Sequence, residues 1–460
     1  MRRIAAMVLT AWAIATGATA ALAPEGPELL IARSGGDATT DVQSRNAFTQ
    51  HPSALDADAL RVFAYGNRIF STPWVEAPAS VKHFDGLGPF FSSRSCSGCH
   101  VHDGRGRPPA GPGDSTVSMV VKLGIADASG RRRPDPRYGG VLSERAVRAL
   151  APEGRLVVEW EDVERPYPDG ARATLRRPRS RVTELHYGPL SQETRPSLRI
   201  APAVIGVGLL EAVPESLLAA LADSEDADRD GVSGRIHWLP GDASGARHAG
   251  RFGWKAAQPS VAAQVTTALV EDMGITTPAR PRADLGAGQS AARSRPTGGE
   301  PELKGAALEA LVAYCRLVAV PARRTLDDPA VRRGADRFRE SGCASCHAPA
   351  LSTGAGPQAT LSRQVVHPFT DLLLHDMGPE LSDGMPEGDA AASEWRTPPL
   401  WGIGLAATVN GNRFLLHDGR ARSYEEAILW HGGEAEKSRE TFRALPAAAR
   451  NDLVRFLDSL

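Results

Sequence analysis

Two Cys-x-x-Cys-His pentads, Cys96-Ser-Gly-Cys99-His100 and Cys343-Ala-Ser-Cys346-His347, hold four of the five cysteines of the chain. In this pattern two thiols add across the vinyl groups of a haem, and the adjoining histidine becomes the proximal ligand of its iron. Cys-x-x-Cys alone also serves zinc sites and thioredoxin-like redox pairs. A zinc ion shared by both pairs would leave the repeated histidine unexplained. The residues point to two covalently attached c-type haems, with His100 on one iron and His347 on the other.

The N-terminus begins Met1-Arg-Arg, runs through apolar residues 4–18 and reaches small residues at Ala18-Thr-Ala20 and Ala21-Leu-Ala23. A charged start, a short hydrophobic segment and an Ala-x-Ala exit make a secretory signal peptide over residues 1–23. Fifteen helical residues span about 22 Å, short of the roughly 30 Å of a bilayer core. No later stretch is long and apolar enough to cross a membrane. The expectation is a periplasmic protein without stable membrane insertion, in keeping with haem attachment outside the cytoplasm. Cys315 is left over; in the helical pattern of residues 308–318 it reads as a buried apolar side chain. With the two arginines of the leader set aside, 51 basic residues stand against 54 acidic ones. That balance, with haem propionates added, predicts no binding to nucleic acid or to an anionic membrane. The basic run Arg172-Ala-Thr-Leu-Arg-Arg-Pro-Arg-Ser-Arg181 reads as a solvated face, with docking of an acidic partner as the other reading.

The pentads lie far apart in a chain of 460 residues, which exceeds one ordinary core. The expected fold is mainly α: two cytochrome-c-like haem domains with a β-containing insertion between them. The first haem domain takes residues 24–125, continued by 250–277. The insertion takes 126–249, a Pro- and Gly-rich linker 278–301, and the second haem domain 302–460. Helical periodicity marks residues 55–70, 256–273, 302–320, 329–341, 424–430 and 446–459. Asp328-Pro329 supplies an N-cap followed by proline at the first helical position. Leu156-Val-Val-Glu-Trp-Glu and Val182-Thr-Glu-Leu-His-Tyr alternate as strands, with a turn at 166–170.

A set of further motifs, in this order, resembles the dihaem cytochrome c peroxidase and MauG superfamily. The closest likeness is to its dihaem oxidoreductase branch, sometimes labelled thiol oxidoreductases. The motifs are Arg94-Ser-Cys-Ser-Gly-Cys-His100 with Asp103-Gly-Arg-Gly-Arg-Pro-Pro109, Arg251-Phe-Gly-Trp-Lys-Ala256, Asp272-Met-Gly-Ile275 and Gly342-Cys-Ala-Ser-Cys-His347. To these add Asp371-Leu-Leu-Leu-His-Asp-Met-Gly378, Trp395-Arg-Thr-Pro-Pro-Leu-Trp401 and Leu416-His-Asp-Gly-Arg-Ala421.

The resemblance implies a peroxidatic haem in the N-terminal domain, open on one axial side, and a C-terminal haem ligated on both sides. It implies an inter-haem tryptophan, here Trp254, a glutamine ten positions on, here Gln264, and an acid before a methionine, here Asp272. The acid is Asp rather than the peroxidases' Glu, and sits two residues nearer. A carboxylate in a dry pocket can move a proton between the oxygens of a peroxide, and an amide can hold the outer oxygen. Glu271 is the rival base. Fourteen positions after His417 the resemblance places the second ligand of the C-terminal iron, here His431, where peroxidases use Met and MauG uses Tyr. Met377 is the competing ligand. His417 would contact a propionate or support a ligand, and His102 would lie on the surface. Closure of the first haem by another histidine, for instance His83, would demand reductive activation.

Separately, Asp226-Ala-Asp228-Arg-Asp230-Gly231 matches the first half of a calcium loop, with His237 rather than Glu at the twelfth position. Calcium is expected at Asp226, Asp228 and Asp230. The function expected is a periplasmic peroxidase-like oxidoreductase taking hydrogen peroxide or a similar oxidant. Its electrons would come from a small redox protein, a cytochrome c or a cupredoxin. Oxidation of a protein partner's residues, or electron transfer without peroxidase activity, are the alternatives.

Overall fold

The computed structural model describes residues 26–114, 118–127, 132–241, 245–356 and 358–460. The expected signal peptide, 1–23, lies outside the described residues. Two helix pairs organise the two cysteine pentads. Ala57–Ser71, capped by Asp56 accepting from the Ala59 amide at 2.8 Å, packs on Gly305–Leu317. Pro329–Glu340, capped by Asp328 accepting from Ala330, packs on Ala447–Ser459. Each pair meets at a glycine. A Cβ on Gly66 would lie 2.1 Å from the Ala310 carbonyl oxygen, and one on Gly334 would lie 2.0 Å from that of Asp452. Backbone-to-backbone approach of this kind leaves no room for a methyl group.

Each pair aims a phenylalanine at the histidine of a pentad: Phe70 at His100, with ring centres 6.1 Å apart, and Phe338 at His347, 6.4 Å apart. Two hydrophobic cores follow. One gathers Phe63, Phe70, Leu311 and Tyr314 with Leu269 and Trp401; the other gathers Phe338, Phe369, Leu429, Trp430 and Phe456.

The expectation of a mainly α fold is corrected. The content is 31% helix and 18% strand, with sixteen strands in seven small sheets among the described residues. Much of the strand lies in pairs of two or three residues, such as Thr39–Thr40 parallel to Val320–Pro321 and Leu374–Asp376 antiparallel to Glu394–Arg396. Elements so short carry no periodicity, so composition could not announce them.

The larger sheets occupy the region between the pentads. Met119–Ala126 pairs antiparallel with Arg195–Ile200, Val141–Leu142 and Arg132–Arg133. Arg155–Pro166 and Arg172–Thr183 form a hairpin of two twelve-residue strands, with Arg155 opposite Thr183 and Pro166 opposite Arg172. The second strand is the basic run rather than the expected 182–187, of which 184–187 lie outside it. Its arginines are engaged: Arg181 with Glu159, Arg179 with Glu161, Arg177 with Glu380, and Arg176 with the carbonyls of Gly419 and Arg420. The hairpin tip inserts Tyr167 and Leu175 into the second core.

The Pro- and Gly-rich stretch 278–301 is held against the sheets. Asp284 accepts from the Gly140 amide at 2.7 Å, and the fully buried Gln289 bonds Glu153. Cys315 is buried, as its helical pattern predicts. No helix among the described residues is long and apolar enough to cross a membrane.

Candidate functional site

Two cavities, of about 260 and 170 Å³, lie one beside each pentad. Ser95 caps the turn Cys96–Cys99 by accepting from the Gly98 amide, which fixes the first pentad against its cavity. His100, Cys96 and Cys99 line this cavity, and the His100 Nδ1 donates to the Pro202 carbonyl at 2.8 Å. That bond sets the tautomer and leaves Nε2 for a metal.

The helix Val261–Met273 supplies the opposing wall. Ser260 caps it, and Gly274 (φ 65°) ends it, with the Ile275 amide donating to the Leu269 carbonyl at 2.8 Å. Gly274 is obligatory, because its Cβ would lie 2.7 Å from the Cα of Gly88. Helical phase puts Gln264, Ala268 and Asp272 on one stripe, and all three line the cavity. Burial, with the Glu271 carboxylate beside it, pushes the Asp272 carboxyl up to about 7 against the pull of Lys122.

Trp254 is buried, lines both cavities and donates from Nε1 to the Ile200 carbonyl at 2.9 Å. The residues Trp254, Gln264 and Asp272 are thus brought round one cavity with the first pentad.

The second cavity is lined by Cys343, Cys346 and His347, and by both His431 and Met377. His347 Nδ1 donates to the Phe369 carbonyl at 3.0 Å, and His431 Nδ1 to the Ala427 carbonyl at 2.7 Å. Burial pushes His347 down to about 4, the nearby His431 adding to the effect. Burial lowers His431 as well, so both imidazoles are biased towards the neutral form that binds iron. His417 also lines this cavity and stacks on Trp395 with ring centres 3.7 Å apart and planes 8° apart. His375 is clamped between Asp371 at 2.8 Å and Glu434 at 2.7 Å.

The cavities differ in their donors. Among the described residues His100 is the one histidine of the first, whereas His347, His375, His417 and His431 line the second. The one thioether of the first, Met273, belongs to the core with Leu269 and Ile275. His83 is exposed and lines neither cavity, and His102 accepts from Arg45 Nε at 2.9 Å near the surface.

A family model described as "Di-haem oxidoreductase, putative peroxidase" matches residues 29–129 and 139–460. The chain belongs to this di-haem oxidoreductase family. No curated protein matches it. Two haems are the cofactors of a di-haem oxidoreductase, and the residues present fit them. Each cavity carries one pentad whose cysteines form no disulfide and whose imidazole is locked with Nε2 available.

The sequence alone did not disclose the charged wall of the first cavity. Lys122 lies 3.5 Å from Glu271 and 3.0 Å from Glu387, and Arg199 lies 2.6 Å from Glu387 and 3.3 Å from Asp383. The fully buried Lys255 lies 3.5 Å from Asp383 and is drawn down to about 8 by burial. Lys255 lies within the Arg251–Ala256 motif, yet nothing local announces Asp383 as its partner.

The Asp-rich loop brings carboxylate oxygens of Asp223, Asp226 and Asp228 within 4.8 Å of one another. Asp230 is not one of the three; it accepts from the Val232 amide at 2.7 Å. His237 is buried elsewhere, bonded to the Lys255 carbonyl.

Proposed function

We propose that this di-haem oxidoreductase is a periplasmic c-type enzyme that reduces peroxide at the first cavity, with electrons relayed from the second. The observation that carries the reading is the unequal donor set. One imidazole, an acid, an amide and a tryptophan line the first cavity, while His347 and a second locked imidazole, His431, both line the other. A haem attached through Cys96 and Cys99 supplies the iron at which peroxide is taken up and reduced. Overall, one peroxide, two electrons and two protons give two waters.

The residues of the chain do the rest. Asp272, poised near neutrality by its burial, removes a proton from one peroxide oxygen and returns it to the other. The Gln264 amide donates to the outer oxygen as its charge develops. Trp254, which lines both cavities, is the electron relay, and packing with Met119, Val121, Leu198 and Ile200 holds its ring. Cys343, Cys346, His347 and His431 hold the second haem, Met377 being the competing ligand.

Stopped-flow spectroscopy with hydrogen peroxide tests the reading. Rapid reaction followed by discharge on adding a reduced cytochrome c or cupredoxin supports it; no spectral response to peroxide refutes it. A second reading, oxidation of a protein partner's residues, is favoured by His431. Imidazole gives a lower potential than thioether, which suits a haem that shares high oxidation states. An oxidised species that persists after peroxide addition, without discharge by a small donor, marks that reading. We also propose calcium at the Asp-rich loop, bound by Asp226 and Asp228 with Asp223. Calorimetric titration with calcium before and after Asp226→Asn tests it, and equal heats in both proteins refute it.

A further inference from the structure

The wall between the two cavities holds two buried cations that have no ion-pair partner among the described residues. Arg105 and Arg396 are 9% and 7% exposed, and both line both cavities. Arg105 donates from Nε to the Phe414 carbonyl at 3.0 Å and from Nη2 to that of Leu416 at 3.4 Å. Arg396 donates from Nε to the Gly253 carbonyl at 3.1 Å and from Nη1 to that of Thr397 at 3.1 Å. Every acceptor is a neutral carbonyl, and one edge of each guanidinium remains for a ligand. Asp371 is the acid whose field reaches Arg396, but its oxygens are engaged by His375 at 2.8 Å and the Leu373 amide at 2.9 Å. Each guanidinium also feels burial, and Arg396 feels the charge of Arg105 as well. Buried charges are paired in stable proteins, and two like charges at one wall call for anions.

We propose that Arg105 and Arg396 form one carboxylate-binding site that takes a propionate from each of the two haems, so that a single pair of cations serves both irons. Planar guanidinium forks match carboxylates in two-pronged fashion, which no ammonium can copy. The Arg105 guanidinium also lies over the Trp254 ring at 5.6 Å, and the Arg396 amide donates to the Trp254 carbonyl at 2.9 Å. The Arg105 guanidinium and the Arg396 backbone thus both contact the tryptophan. The inference needs two haems and does not depend on reaction with peroxide.

The test is a spectroelectrochemical titration of the purified dihaem protein without peroxide, for wild type, Arg105→Gln and Arg396→Gln. Removing a cation stabilises ferric over ferrous iron, so the potential falls. A unit charge at an effective dielectric of about 20 alters the reduction equilibrium roughly tenfold, or about 59 mV for one electron. In each variant both haems shift downward by that order. Arg105→Lys, which keeps the charge and most of the volume, supplies a second variant and shifts both haems in the same direction by less. Potentials unchanged in the variants, or a shift confined to one haem, overturn the shared site. Since no peroxide is present, a negative result leaves the peroxidase reading standing, and failure to react with peroxide leaves this site standing.

Discussion

Replacing Asp272 by asparagine should stabilise the protein at alkaline pH while slowing its reaction with peroxide about 10²-fold or more. Asp272 has its carboxyl pushed from 3.8 up to about 7, first by burial and then by the Glu271 carboxylate. A folded-state value above the unfolded one means that the native protein binds the proton more tightly. Ionising Asp272 therefore costs nothing below pH 3.8, costs more with each unit above it, and reaches its full cost above about pH 7. One unit is worth about 1.4 kcal/mol. Between pH 5 and pH 8 the charged carboxylate adds a cost over roughly two units, hence at most about 3 kcal/mol. Water reaching the carboxyl from the cavity reduces this.

Asparagine keeps the shape, is neutral at every pH and escapes that cost. Denaturant unfolding of both proteins at pH 5 and pH 8 should show the variant's advantage growing by about 1–3 kcal/mol at the higher pH. The peroxide rate constant should fall about 10²-fold or more, as expected for loss of a general base. Equal stability differences at the two pH values, or an unaltered peroxide rate, would refute the reasoning.

Lys122→Met removes the cation that restrains Asp272, so the pH of half-maximal peroxide rate should rise by about one unit, read from a pH–rate profile; an unmoved profile would show that Lys122 does not act on Asp272. His431→Ala should open the second haem to cyanide and alter its low-spin spectrum, whereas Met377→Ala should leave both unchanged; the reverse pattern would assign the ligand to Met377. Gly66→Ala and Gly334→Ala should each lower stability by about 1–3 kcal/mol through overpacking, measured by thermal unfolding, since each methyl group would meet a backbone carbonyl. An unchanged unfolding midpoint would mean that the helix pairs can separate freely.

The chemistry that is local in sequence was legible: the pentads, the Asp328 cap and the first strand of the hairpin follow from spacing within one element, whereas Gln264 and Asp272 came from the family resemblance and the second strand was placed ten residues too late. The roles of His431 and Trp254 came from the family resemblance: His431 stands fourteen positions after His417, and Trp254 lies within the Arg251–Ala256 motif. What escaped was set by distant partners. Lys122 and Glu387 meet across 265 positions, and Arg105 reaches the Leu416 carbonyl across 311. No window of sequence contains both members of such a pair. The strand content escaped for another reason, since pairs of two residues hold by backbone hydrogen bonds and carry no side-chain alternation to read. Asp223 joins the acidic trio because the chain turns at Asp226 (φ 48°) and Arg229 (φ 60°). The loop pattern, which begins at Asp226, omits it.

Electron paramagnetic resonance of the fully oxidised protein, recorded before and after cyanide, tests the unequal-site account most directly. The account predicts one high-spin ferric centre that cyanide converts to low spin, beside one low-spin centre that cyanide leaves alone. Two low-spin centres in the resting and half-reduced protein, both indifferent to cyanide, would contradict it.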